Sequence, residues 1–275
     1  MASSINVINF QKEREPFSLK KVYRSVLRSG GSKELAHKIS KEIEAIIYPD
    51  ISTKEIFKNI KNKLKKESIE TAIKFSLKEG MRKLGPTGFL FEKYIGDLFR
   101  EHGYTVKNNK WLKGKCIDYE TDVLLEKNNT ILIGECKYRN HSGERIDVSV
   151  CLKIYASFID IKNGNGFKKE IKPLVVTNTK FTTKAIKYAE CQGIELLGWN
   201  YPIDNGLERL IESKNLYPVT VLPSFNQSFI EYFSNHEIMT VKDILLIDVA
   251  KLSKKAKIPA SQLEKLKKEA EALCH

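Results

Sequence analysis

The segment Cys116–Asn140 constrains the fold more than any other part of this 275-residue chain. Its sequence predicts two strands joined by a tight polar turn at Glu126–Asn129. The first strand carries Asp122, and the second carries Glu135 and Lys137. Because strand side chains alternate between faces, Glu135 and Lys137 project from the same side, in line with aliphatic residues nearer the start of that strand. Two carboxylates and a lysine that meet where a sheet leaves the core could hold a divalent cation and a water.

The composition indicates a globular protein of two or three domains, since 41% of the residues are hydrophobic and 29% are charged. A formal net charge of +13 favours a polyanionic partner, above all nucleic acid, although a lysine-rich solvated surface would give the same charge. No apolar stretch approaches the roughly 20 residues of a membrane span. The start of the chain lacks a signal-peptide pattern, so we expect a cytoplasmic protein.

The cysteines are scattered and form no C-x-x-C pair, which argues against structural zinc. The pattern predicts reduced, buried thiols. There are five of them: Cys116, Cys136, Cys151, Cys191 and Cys274.

The N-terminal region reads as a short strand at Ile5–Phe10, a turn at Gln11–Pro16 and four helices. Serine caps are expected to begin the first three helices, and Ile69–Leu84 gives the fourth. The expected caps are Ser18, Ser32 and Ser52.

This region resembles an ATP cone, a small nucleotide-binding regulatory domain. The resemblance rests on Val7 in the opening strand, on Glu15-Pro16-Phe17 and on Lys21-Val22. It implies that Lys20 and Lys21 contact ATP or dATP.

The chain departs from the ATP-cone pattern in one place. Asn9, Phe10 and Lys12 stand where the family usually has a Lys-Arg pair and a glycine. The domain therefore either binds nucleotide or serves as a degenerate dimerising module. The alternative for Lys20 and Lys21 is a solvated basic face.

The central region begins after a loop at Leu84–Gly88 and reads as an alternation of helices and strands. The order α-β-β-β-α-β-α-β predicts a mixed sheet with helices on both faces. After the helix Phe89–His102 and the first three strands, the remaining expected elements are a helix at Arg145–Ile161, a strand at Lys172–Thr177, a helix at Thr182–Cys191 and a strand at Ile194–Leu197.

The central region contains, in order, Gly88, Phe91-Glu92, Leu98-Phe99, Gly103-Tyr104, Asp122 and Glu135-Cys136-Lys137. This series resembles the Mrr-type branch of the PD-(D/E)xK nucleases. The resemblance implies a restriction-endonuclease-like αβββαβ core. By position, it makes Asp122 and Glu135 carboxylates that bind Mg²⁺ (or Mn²⁺), and it makes Lys137 the catalytic lysine. Glu92, on the first helix, matches an additional acidic residue that binds the metal in the family.

Other polar residues near this motif have two possible roles each. Glu120 could join the metal site or be a solvated edge charge. Lys153 could contact a DNA phosphate or be an exposed helix lysine. His141 is expected to be exposed to solvent.

The C-terminal region predicts three or four short helices, with capping boxes at Thr240–Asp243 and Ser261–Glu264. It resembles a helix-hairpin-helix or SAM-like module, which implies DNA binding through Lys254 and Lys255. Asn235–Glu237 replaces the usual Gly-x-Gly turn, and protein docking is the rival role.

The sequence thus predicts an α/β, multidomain chain with an ATP-cone-like domain at 1–84, a nuclease domain at 85–205 and a helical domain at 206–275. The leading hypothesis is a Mg²⁺-dependent DNA endonuclease of restriction, phage defence or DNA processing, acting as a homodimer or larger oligomer. The alternatives are a nucleotide-sensing DNA-binding or scaffolding protein with an inactive nuclease fold, and an RNA-cleaving nuclease.

Overall fold

The computed structural model describes residues 5–85, 88–164 and 166–274. Residue 274 is described by its backbone alone. Two predicted features therefore fall partly outside the described residues. These are the joint at Leu84–Gly88, which contains Pro86 and Thr87, and the thiol of Cys274. None of the described helices is long and apolar enough to cross a membrane.

The described chain divides into two compact units. The first contains residues 5–80, 219–232 and 240–274, and the second contains residues 81–218 and 233–239. The boundaries 1–84, 85–205 and 206–275 stay a prediction.

The first unit begins with an antiparallel hairpin of β1 (Asn6–Ile8) and β2 (Arg14–Pro16). Four helices follow, and each of the first three starts at a predicted serine whose hydroxyl accepts a backbone N–H three residues later. Their apolar faces pack into one core with the hairpin residue Val7. These helices are α1 (Leu19–Arg28), α2 (Lys33–Glu44), α3 (Thr53–Glu67) and α4 (Ile69–Phe75).

The predicted turn at Gln11–Pro16 is wrong in its second half, which is strand β2. The side-chain oxygen of Asn9 accepts the N–H groups of Gln11 and Glu13 at 2.8 and 3.0 Å, so the loop closes early and the chain returns beside β1.

The predicted helix Ile69–Leu84 is also divided, because it breaks at Ser76 into α4 and α5 (Leu77–Arg82). The Ser76 hydroxyl donates to the carbonyl of Ala72 at 2.8 Å. Serine bonds of this kind compete with the backbone pattern of a helix and often bend it.

The C-terminal region forms four helices, and the capping box between Thr240 and Asp243 is confirmed. The predicted start at Ser261 is wrong, since the last helix already begins at Ala260 and the carbonyl of Pro259 accepts the Leu263 N–H. The four helices are α10 (Ile230–Asn235), α11 (Val241–Leu246), α12 (Val249–Ala256) and α13 (Ala260–Cys274).

Both ends of the chain contribute to the first unit, where α13 packs against α4. The buried carboxylate of Glu269 accepts the Ser224 N–H at 2.9 Å and the Ser224 hydroxyl at 2.7 Å. Thr220 donates its hydroxyl to the carbonyl of Gly80 at 2.8 Å. The last helix therefore packs within the same compact unit as the first eighty residues.

The second unit is built on a five-stranded sheet in the order β3-β4-β5-β7-β9. The pairs β3–β4 and β4–β5 are antiparallel, and β5–β7 and β7–β9 are parallel. The strands are β3 (Thr105–Lys113), β4 (Asp118–Lys127), β5 (Thr130–Lys137), β7 (Glu170–Thr177) and β9 (Glu195–Leu197).

Helices precede and connect these strands as predicted: α6 (Phe89–Glu101), α7 (Val148–Gly164) and α8 (Thr183–Gln192), with α9 (Leu207–Ser213) after the sheet. The αβββαβ core and the mixed sheet are thereby confirmed. The predicted helix start at Arg145 is wrong. Residues Arg145–Ile146 form strand β6, which pairs in parallel with β8 (Lys180–Phe181), and α7 begins after it.

We expect Glu269→Ala to lower the free energy of unfolding by about 2 kcal/mol, because it leaves the Ser224 N–H and hydroxyl without their charged acceptor. Denaturant titration followed by far-UV circular dichroism measures this loss. Glu271→Ala, an exposed glutamate on the same helix, is the matched control and should change stability little. Equal stability of the two variants would show that the C-terminal helix does not support the first unit.

Candidate active site

The site is formed where strands β4 and β5 part. Their pairing runs from Lys127 opposite Thr130 to Val123 opposite Gly134, and it stops there although both strands continue. One oxygen of the Asp122 carboxylate accepts the Cys136 N–H at 2.6 Å. The Asp122 side chain thus accepts the backbone N–H of Cys136, which would otherwise be left unpaired where the strands separate.

On its other edge, β5 pairs in parallel with β7, and this pairing continues as far as Lys137. Thr177 on β7 donates its hydroxyl to the Lys137 carbonyl at 2.6 Å. The ammonium of Lys137 forms an ion pair with the Glu135 carboxylate, and each side chain is about 30% exposed. The end of β5 is therefore a rigid support for two charged groups that still reach solvent.

The surroundings of Asp122 disfavour the ionised form of its carboxyl group. Burial, and then the negative charge of Glu135, raise the pKa of the Asp122 carboxyl to about 7, against the lowering effect of the bond from Cys136. Glu92 on α6 contributes further negative charge. Burial also raises the pKa of Glu92, although a hydrogen bond with Asn109 opposes that shift. The predicted Asp122, Glu135, Lys137 and Glu92 are thus close enough to interact.

Within the described ranges, no three or more His, Cys, Asp or Glu side chains are arranged to hold a metal ion. The donor set that is present is the carboxylate pair of Asp122 and Glu135. Mg²⁺ is commonly held by one or two carboxylates, with water and substrate phosphate completing its shell. A cation between the two carboxylates would also offset the negative charge of Glu135, which together with burial raises the pKa of Asp122. The residues therefore fit such an ion.

A cleft of about 420 Å³ lies between this end of the sheet and α7. Lys153 lines it from the helix, opposite Glu135 and Lys137, in the place that the sequence suggested. Glu120 also lines the cleft, and its charge raises the pKa of Glu92. Glu120 is also exposed, so both of its predicted roles stay open.

The remaining predicted site residues belong to the first unit. Lys20 and Lys21 are exposed in the first turn of α1, where Lys21 pairs with Glu15 at 3.2 Å. Lys254 and Lys255 lie in the last turn of α12 and are exposed.

Sequence reasoning missed two residues that support the site. Tyr138 directly follows β5, its ring lies 5.6 Å from that of Phe91 on α6, and its hydroxyl donates to the carbonyl of Arg82. Asn178 binds both backbone groups of Arg139 at 2.8 Å. No local pattern marks either residue, because each acts on a distant segment.

The expectation of buried thiols is wrong for part of the described chain. Cys136 and Cys151 are buried, whereas Cys116 and Cys191 are exposed. Burial holds the pKa of the Cys136 thiol well above its usual range, so it remains protonated beside the carboxylates.

Comparison with known proteins identifies this part of the chain. Residues 86–200 match the restriction endonuclease family Mrr_cat, so the chain contains a restriction endonuclease domain. Residues 217–274 match the family described as AF1548-like, C-terminal. An uncharacterized protein of Archaeoglobus fulgidus is 43% identical over 129 residues, which are 46% of this chain and 69% of that protein. The chain belongs to the AF1548-like family.

A solved structure agrees with this membership. The crystal structure of AF1548, a protein of unknown function, is 31% identical and has a TM-score of 0.58, with 67% of this chain and 97% of that chain covered. The MspJI restriction endonuclease in complex with a 27-mer oligonucleotide is 12% identical with a TM-score of 0.33, covering 59% of this chain and 39% of that chain. A match this weak says nothing about the activity of the AF1548-like chain.

In the metal-free protein, we expect Asp122→Asn to raise the melting temperature at neutral pH by about 3 °C or more. The folded pKa of about 7 lies above the ordinary value of 3.8, so the folded state keeps a proton that the unfolded state has lost. Wild-type stability therefore falls as the pH rises from about 4 to 7 and is constant above that range. Asparagine is always neutral and can still accept the Cys136 N–H.

Differential scanning fluorimetry with EDTA at several pH values measures the difference. Glu126→Gln is the matched control, since Glu126 lies on the same strand and pairs with Lys169 away from the cleft. A gain for Asp122→Asn that is the same at pH 4.5 and pH 8 would contradict the raised pKa.

Proposed function

We propose that this AF1548-like protein is a divalent-metal-dependent DNA endonuclease. The observation that carries the proposal is the part-buried carboxylate pair of Asp122 and Glu135 beside Lys137, where β4 and β5 part within a restriction endonuclease domain. Burial and the charge of Glu135 disfavour the ionised form of Asp122, a bound cation would favour it, and Lys137 already pairs with Glu135. The protein would act in the cytoplasm, in restriction, phage defence or DNA processing.

Each residue of the site has a chemical role in this proposal. Asp122 and Glu135 would hold Mg²⁺ or Mn²⁺, and Glu92 would add negative charge behind them. The bound ion would supply charge neutralisation at the scissile phosphate and a more acidic water. Lys137 either orients and deprotonates the attacking water or stabilises charge that develops on the phosphate. Lys153 would contact a neighbouring phosphate from α7.

The proposed substrate follows from charge and from the domain type. A net charge of +13 favours binding to a nucleic acid backbone, and the restriction endonuclease domain favours DNA over RNA. Since one such site cuts one strand, cleavage of a duplex requires two sites, and we propose a homodimer or larger oligomer. Exposed Lys254 and Lys255 on α12 would add contacts to the DNA backbone.

We expect Asp122→Asn, Glu135→Gln and Lys137→Met each to reduce cleavage by at least about 100-fold, because each removes a group that acts on the reacting phosphate or its water. The assay incubates plasmid, linear, methylated, branched and RNA substrates with Mg²⁺ or Mn²⁺ and resolves the products on gels. Calorimetric titration of Mn²⁺ gives a second readout, in which the first two variants should lose binding and Lys137→Met should retain it.

Matched controls are available on the same sheet. Glu126→Gln and Lys169→Met remove an ion pair at the far end of β4 and should cleave like the wild type. Wild-type protein that binds Mn²⁺ but cuts nothing would favour the scaffolding alternative. Cleavage of RNA alone would favour the RNA nuclease, and cleavage that persists in all three site variants would refute the assigned roles.

We further propose that the N-terminal part of the first unit binds ATP or dATP as an ATP cone. The support is its order, a β-hairpin followed by four helices. Lys12 stands where the cone family usually has glycine and has a positive φ of 63°, so the turn that glycine would permit is kept. Lys20 and Lys21 begin the helix that follows this hairpin.

We expect ATP or dATP at millimolar concentration to raise the melting temperature of the wild type, because a ligand that binds only the folded state stabilises it. The double variant Lys20→Ala, Lys21→Ala should lose the shift. Lys33→Ala, an exposed lysine at the start of α2, should keep it. If neither nucleotide changes the wild-type transition, the domain has only a structural or dimerising role.

A further inference from the structure

The end of β3 and its connection to β4 carry two exposed apolar residues. The side chain of Trp111 is 63% exposed, and that of Ile117 is 61% exposed. Between them, Leu112 is buried against Phe158 and Ile161 of α7. The strand is thus anchored through one face while it displays a tryptophan to solvent. We call residues 105–120 the β3–β4 hairpin.

The tip of this hairpin is held rigidly by one residue of α7. The carboxylate of Asp160 accepts the Cys116 N–H at 3.0 and 3.1 Å and the Ile117 N–H at 3.3 Å, and its carbonyl accepts the Lys115 N–H at 3.0 Å. At Gly164 an added Cβ would lie 2.1 Å from the backbone of the tip. The helix and the tip therefore meet backbone to backbone.

The clamp is present at neutral pH. Burial alone would raise the pKa of Asp160, but hydrogen bonds from Cys116 and Ile117 outweigh it and hold the pKa below its ordinary value. A fixed hairpin can present an exposed side chain at low entropic cost, which is the condition for a specific contact.

Trp111 is the cross-strand neighbour of a residue at the proposed active site. It is paired with Glu120 across the β3–β4 ladder, so the two side chains share a face. Because Leu112 faces α7, this is the face of the sheet turned away from α7, where the charge of Glu120 acts on Glu92. A group that contacts Trp111 would consequently approach the site from the Glu92 side.

The charges around Trp111 indicate the chemistry of a group that would contact its indole ring. The hairpin has four exposed lysines and two exposed carboxylates, Asp118 and Glu120, and so carries a net positive charge. Aromatic residues set among lysines are typical of surfaces that stack nucleobases and hold the backbone. A second copy of the same hairpin would meet it with like charge, which disfavours a self-association surface. The lysines are Lys107, Lys110, Lys113 and Lys115.

We propose that Trp111 stacks on a nucleobase next to the scissile phosphate, and that the substrate is DNA with an unpaired or flipped nucleotide at that position. The inference rests on the proposed nuclease function and deepens it. In a fully stacked duplex, neighbouring bases cover both faces of each base. A rigid exposed indole can stack only where a base has left the helix or is single-stranded. Trp111 is then a positioning residue.

The chain offers a direct spectroscopic test, because it has two tryptophans and the other, Trp199, is only 4% exposed. The full-length protein is titrated in EDTA, where it cannot cleave, with a single-stranded oligonucleotide, the matching duplex and a duplex with one unpaired base. We expect the single strand and the interrupted duplex to quench the emission of Trp111 more than the intact duplex does.

Variants separate stacking from general affinity. Trp111→Ala should weaken binding to single-stranded DNA by about 5- to 150-fold, the range that loss of one stacked base gives. Trp111→Phe should restore most of that affinity while abolishing the fluorescence change. Ile203→Ala, which removes an 80% exposed apolar residue of the same unit, should leave both unchanged.

The outcomes distinguish this inference from the function on which it rests. Wild-type protein that cleaves DNA while Trp111 emission and Trp111→Ala binding stay unaffected would overturn the inference alone. Equal quenching by intact duplex would overturn the unpaired-base substrate. Emission that changes with protein concentration before any DNA is added would assign Trp111 to an interface between copies. A wild type that neither binds nor cuts DNA would overturn both proposals.

Discussion

The bond between the Cys136 N–H and the Asp122 carboxylate is the interaction on which the whole site depends. It allows β4 to leave β5 without exposing an unpaired donor, and it fixes Asp122 beside Glu135. Burial and the charge of Glu135 then raise the pKa of Asp122 to about 7 despite that bond. The fold therefore holds the Asp122 carboxyl beside Glu135 at a cost in stability that the proposed cation would offset.

Much of the fold could be predicted because its signals are local. Serine and threonine caps, helical periodicity and the β4–β5 turn depend on residues within one turn of each other. The turn shows this clearly, since Asn128 and Asn129 have φ values of 48° and 65°, a conformation that asparagine tolerates. The positions of Asp122, Glu135 and Lys137 followed from strand alternation and from the family motif. Their mutual electrostatics did not, because burial is a property of the folded chain.

What the sequence concealed are contacts between distant segments. Thr220 binds the carbonyl of Gly80 across 140 residues, and the tip at Cys116 is held by Asp160. No periodicity records such pairs. The sequence patterns describe the two ends of the chain separately. Contacts between distant segments bring residues from both ends into one compact unit. They also explain why no sequence pattern marks Trp111, since its proposed role depends on the hairpin held by Asp160 and on its pairing with Glu120.

The central claim is that Asp122 and Glu135 together bind a divalent cation. The most direct test is a crystal structure of the full chain soaked in Mn²⁺, with diffraction data collected to give the anomalous signal of manganese. The account predicts an anomalous peak within bonding distance of both carboxylates, at about 2.0–2.3 Å, and loss of that peak in Asp122→Asn. A saturated crystal with no peak there, or with manganese bound only elsewhere, would contradict it.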